Sequence, residues 1–103
     1  MSAFKEALFL ENWIAGVKLA GPSLFGEGSR PRLADVERRI LTMSRGEAVF
    51  LAAMVCFYND EDGALLLKKV IDQHDFGICT VAASLDEVRR AIIADLFATY
   101  SGW

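Results

Sequence analysis

From Ala48 to Tyr58, eleven consecutive residues carry no charge and no strongly polar side chain. A membrane-spanning helix needs about 18–25 predominantly apolar residues, so this run is too short to cross a bilayer. Arg45 and Glu47 bound it on one side, and Asn59, Asp60, Glu61 and Asp62 on the other. Ser44-x-x-Glu47 has capping-box spacing, in which the serine side chain accepts from the third helical amide and the glutamate reaches back. The pattern predicts a helix over 45–58 with no wet face. Such a helix must be covered on more than one side, by this chain or by another.

The run has two distinct sides. Ala48, Ala52 and Cys56 recur every four residues, a small-residue stripe that lets another helix approach closely. Phe50, Met54 and Phe57 put bulk on a different face. Those three are the candidate interface residues, since the second face of a central helix meets either this chain's core or another subunit.

Periodicity predicts further helices around it. Residues 3–19 carry Phe4, Ala7, Leu8, Leu10, Ile14 and Val17 at spacings of three and four, with Phe9 and Trp13 as an aromatic pair alongside. Ser2 is placed to cap this helix, and Lys5 and Asn12 mark its expected wet side. Residues 21–31, rich in Gly, Pro and Ser, read as a loop, with Leu24 and Phe25 tucked onto the core. A second helix over 32–43 has the stripe Leu33, Val36, Ile40 and Met43. Asn59 or Asp60 caps a fourth over about 60–74, with Leu66, Leu67, Val70, Ile71 and His74 on one side. Gly77 offers it a left-handed stop. The apolar stretch 78–83 reads as a buried connector, with a strand as the lesser alternative. Ser84-x-x-Glu87 repeats the capping-box spacing and opens a fifth helix over 85–100, with the core stripe Leu85, Val88, Ile92, Leu96 and Thr99 and with Ile93, Phe97 and Tyr100 beside it. Trp103 is expected to fold back over the last turn. The expectation is an all-α, compact bundle of about five helices with one short apolar connector at 78–83, forming a single domain over 1–103.

Composition bears on function. Apolar residues make up 53% of the chain, above the usual 45–50% or so, and the surplus points to a homo-oligomer interface. A net charge of −3 disfavours wholesale nucleic-acid binding, which leaves a basic footprint. The stretch "ALFL" between Glu6 and Glu11 is too short for the apolar core of a signal peptide. With Cys56 inside the apolar run, the two cysteines are expected to be free thiols in a reducing, cytoplasmic setting.

No pattern assigns a catalytic, cofactor or metal site. Aligning Gly63 with the invariant glycine of a calcium-binding EF-hand loop puts Tyr58 and Lys69 where carboxylates are required. His74, the sole histidine, has Asp75 beside it and Cys79 five residues on, but nothing in the spacing joins them into a nucleophile–base pair. Arg30, Arg32, Arg38, Arg39 and Arg45 against Asp35 and Glu37 leave residues 30–45 at +3, so the rest of a chain of net charge −3 carries −6. These arginines are the candidate contacts for an anionic ligand or nucleic acid. A helix-turn-helix built on the sharp join at Ser44 is disfavoured, because its second helix has no polar side chains to read base edges. The leading expectation is a non-catalytic cytoplasmic protein that works through protein–protein contact, with itself as a homodimer or with another protein. The alternative is an anion-binding module using the arginine segment.

Overall fold

In the computed structural model, residues 3–71 and 77–101 are described. They form six α-helices: α1 (Ala3–Ala20), α2 (Leu33–Ile40), α3 (Arg45–Tyr58), α4 (Asp60–Val70), α5 (Ile78–Ala83) and α6 (Glu87–Thr99). Two 3-10 turns, Pro22–Leu24 and Glu27–Ser29, lie between α1 and α2. The architecture is an all-α bundle. Among the described residues the only β-type pairing is one isolated bridge between Phe25 and Pro31.

Helix α3 is the centre. Ala48 through Val55 and Phe57 are all buried, so two full turns have no solvent side. Its start is fixed as the spacing predicts. Ser44 Oγ accepts from the Glu47 amide at 3.3 Å, and Glu47 Oε1 accepts from the Ser44 amide at 3.4 Å and from its hydroxyl at 2.7 Å. The Ser44 hydroxyl is the main cause holding the Glu47 carboxyl below its ordinary pKa.

At the other end a single residue turns the chain. Asn59 is the C-cap of α3 and the N-cap of α4, and its side chain accepts from the Asp62 amide at 3.1 Å. So short a link holds the first turn of α4 against the last turn of α3. Gly63 makes this possible: a methyl group there would lie 2.6 Å from Cys56 Cα, far inside contact distance. The small stripe of α3 thus meets its close neighbour at Cys56.

Helix α1 packs on α3 and α6 with the face that carries Phe9, Trp13, Gly16 and Val17, all buried. This departs from the expected stripe, of which Val17 is buried but Phe4, Ala7, Leu10 and Ile14 are exposed. The helix is apolar around most of its circumference, so spacing alone defines two stripes. The indole settles which one turns inward, since a buried Trp needs a partner for its N–H. Trp13 Nε1 donates to the Ser29 carbonyl at 2.8 Å and ties the loop to the core. Asn12, expected to face water, is half-buried and donates to Thr99 Oγ1 of α6 at 3.3 Å.

The second half departs from expectation in three places. Residues 78–83 are neither buried nor a strand: they form the short helix α5, with Ile78 and Cys79 exposed. Gly77 is extended and N-caps α5, so it is not a left-handed stop for α4, which ends at Val70. Ser84 does not cap the last helix. Its hydroxyl donates to the Thr80 carbonyl at 3.0 Å, closing α5, and Asp86 caps α6 by accepting from the Arg89 amide at 2.8 Å. An ionised carboxylate is the stronger acceptor for a helix's first amides, and the Ser84 hydroxyl is already engaged as a donor to Thr80. Val88 is exposed, and the buried positions of this segment are Leu85, Ile93 and Leu96. Ser2, Trp103 and the expected His74 position on the fourth helix lie outside the described residues.

Two substitutions test the packing. Gly63→Ala should cost about 1–3 kcal/mol of unfolding free energy, because backbone atoms stand in the way. Gly16→Ala should cost less, since the nearest atoms are the thioether end of Met54, a flexible chain. Denaturant titration reads both, and equal costs would refute the close-approach account. Phe50→Ala should cost about 3–5 kcal/mol, against less than about 0.5 for Phe4→Ala at an exposed position.

Candidate functional site

The main concavity among the described residues is an open groove of about 770 Å³. Its floor is the C-terminal half of α3, through Ala53, Cys56 and Phe57. Asp60 and Leu67 of α4 form one wall. Helix α5 and the residues beside it contribute Ile78, Val81, Ala82 and Leu85, and α6 contributes Arg90, Ile93, Ala94, Phe97 and Tyr100. Among the described residues, the six-residue helix α5 leaves this part of α3 open to the groove.

The lining is apolar and partly wet. Phe97 and Tyr100 are 57% and 47% exposed, and Ile78 is 64% exposed at the far side. The rings continue into the core. Phe97 meets Phe57 edge-on at 5.0 Å, Phe57 lies 6.2 Å from Phe9, and Phe9 stacks on Trp13 at 6.3 Å. Tyr100 is held by both Phe9 and Phe57, at 5.8 and 5.7 Å. One end of the groove is therefore a rigid aromatic wall.

Its charged groups are Asp60 and Arg90, on opposite walls. Arg90 donates to the Ala82 carbonyl at 2.8 Å and more weakly to that of Leu85. These bonds hold the end of α5 against α6. No ion pair joins Asp60 or Arg90 to any described residue. Arg89, one position earlier, has a structural job: it pairs with Asp86 and lies over the buried Phe50 ring, 5.9 Å from its centre.

The expected interface residues are core residues of this chain. Phe50 and Met54 have 0% exposure and Phe57 is buried on the groove floor. Phe50 and Met54 are covered by the chain's own helices, whereas Phe57 also lines the groove. The large apolar residues exposed around the groove are Phe97, Tyr100 and Ile78, which periodicity did not single out as surface residues.

The arginines have different settings. Arg38 pairs with Asp35, and Arg38 and Arg39 border a shallow dip beside Ser23 and Leu24. Arg32 lies along Gly26 and Arg30 beside Gly28. Arg45 reaches elsewhere, donating to Ser84 Oγ at 3.4 Å. His74 and Asp75 lie outside the described residues. No cluster of three or more metal-ligating side chains occurs among the described residues, and no described helix is long and apolar enough to cross a membrane.

The two thiols are free and differ in setting. Burial, with a lesser push from Asp60, raises the Cys56 thiol to about 11. Cys79 is exposed on α5. At pH 8 only about one Cys56 in a thousand is ionised, so it is a poor nucleophile. Thiol-reactive probes should modify the exposed Cys79 first and the half-buried, protonated Cys56 markedly more slowly. Comparable rates in the Cys79→Ala and Cys56→Ala variants would contradict this.

No known protein-family model, curated protein or solved structure matches this chain.

Proposed function

We propose that this protein works through protein–protein contact, without catalysis of its own, and that the groove between α3, α4, α5 and α6 is the contact surface. The observation that carries the reading is the exposure of Phe97, Tyr100 and Ile78 around an apolar concavity. A small domain gains nothing in stability from large apolar side chains held in water, and clustered exposure of this kind marks interaction surfaces. Aromatic residues at a rigid, partly desolvated site are the usual energetic anchors of an interface. A concavity lined by helices receives apolar side chains projecting from a partner's helix or loop.

The groove chemistry agrees. Its one thiol is held protonated by burial. Its arginine gives hydrogen bonds from one guanidinium nitrogen to two backbone carbonyls. An anion-binding role for residues 30–45 has weaker support, because Asp35 offsets Arg38 and Arg45 turns to a different part of the surface. Two free thiols, one of them exposed, suit the reducing conditions of a cytoplasm.

A photo-crosslinking residue placed at Phe97 in cells that express the protein tests the reading. It should yield protein adducts, identified by mass spectrometry, including adducts with another copy of this chain if that is the partner. The same residue at Leu41, exposed but outside the groove lining, should yield few. Equal labelling from both positions, or none from Phe97, would overturn the groove as the contact surface.

A further inference from the structure

We infer that the occupant of the groove is a second copy of this chain, in a two-fold dimer formed groove face to groove face. This rests on the contact reading above and goes beyond it by naming the partner and its register. A two-fold interface uses the same patch on both subunits, so the patch must be complementary to itself. Two properties of this face meet that demand.

The first is shape. The face carries a projecting ring and a hole side by side: Phe97 stands 57% exposed next to a groove of about 770 Å³. On a two-fold axis the ring of each copy enters the groove of the other. Ala82 and Ala94 in the lining leave space for a ring to enter.

The second is charge. Asp60 on one wall and Arg90 on the other have no ion-pair partner among the described residues. Across a two-fold axis, Asp60 of one copy faces Arg90 of its partner, and the pairing occurs twice. Arg90 already gives hydrogen bonds to Ala82 and Leu85 carbonyls and has further donors to offer a carboxylate. A peptide or helix of unrelated sequence would need its own matching charges at that spacing, whereas a second copy brings them.

Sedimentation velocity on the full chain tests this, over about 1–200 µM. Wild type should sediment as a dimer. Phe97→Glu should weaken association by at least about 30-fold, the scale of an interface anchor. Its melting temperature, read by circular dichroism, shows whether the fold survives. The charge test does not depend on that variant. Asp60→Arg and Arg90→Asp should each place like charges across the axis and sediment as monomers. Mixed in equal amounts they should form a heterodimer, because each supplies the charges that the other now needs. Dimeric wild type with restored association on mixing supports the proposal. A monomeric wild type at 200 µM overturns it, and so do single variants that remain dimeric or a mixture that stays monomeric. In any of those cases, a Phe97 crosslink to a different protein would leave the contact reading standing, and absence of any crosslink would remove both.

Discussion

The structure depends on a helix that has no side left for water. Ala48–Val55 and Phe57 of α3 are all buried, and every other element is placed by the need to cover them. Helix α4 folds straight back along α3 through one residue, Asn59, because Gly63 admits the Cys56 backbone. Helix α1 covers a second side, where Gly16 makes room for Met54. Arg89 of α6 lies over Phe50, and Leu96 is buried in the same core. Cover of this kind is worth roughly 1.5–3 kcal/mol for each large apolar side chain removed from water. It leaves the chain few alternatives, since exposing any face of α3 forfeits several such contributions at once.

The same constraint produces the groove. Helix α5 is six residues long, and its own apolar side chains are half out in solvent. It cannot complete the cover at the C-terminal end of α3, so Ala53, Cys56 and Phe57 are reached from outside. The surface feature is therefore a direct outcome of core packing: the central helix is longer than the cover available to it from this side. Burial still dominates at the groove floor, which is why the Cys56 thiol is raised to about 11 while Cys79, one helix away, is exposed.

What the sequence discloses follows from where local signals are unopposed. The limits of α3 were legible because Ser44, Glu47 and Asn59 each satisfy backbone groups within one turn, and no distant contact competes. Leu24 and Phe25 were legible as the anchors of a polar loop, and both are buried. The inward face of α1 was not, since two apolar stripes compete on it. The choice lies with the Trp13–Ser29 bond and the space at Gly16, both of which are long-range facts. The last helix start was misplaced by two residues because Ser84 and Asp86 both fit a cap, and the motif spacing favours the one that the structure uses to close α5. For the site, the bulky face of α3 was legible as important, but its role as core rather than interface depends on how completely other helices cover it. Phe97 and Tyr100 read as companions of a core stripe. Nothing in their spacing says that the neighbouring helix is too short to hide them.

The aromatic chain gives these points a common physical meaning. Phe25, Trp13, Phe9, Phe57 and Phe97 touch in series, from a loop anchor through the core to the solvent edge of the groove. A ring held by packed rings loses little conformational freedom when a partner covers it, so less of the contact energy goes into ordering. The groove end at Phe97 and Tyr100 is thus already organised in the free chain. The opposite side, at Ile78, belongs to a short helix secured to α6 chiefly through the Arg90 bonds to Ala82 and Leu85. Apolar cover placed over this face would join the exposed rings to the core that already fixes them. It would also shield the Arg90 bonds that hold α5. Association and folding are then driven by the same burial, and the groove is the point at which the core of one chain is left open for completion from outside.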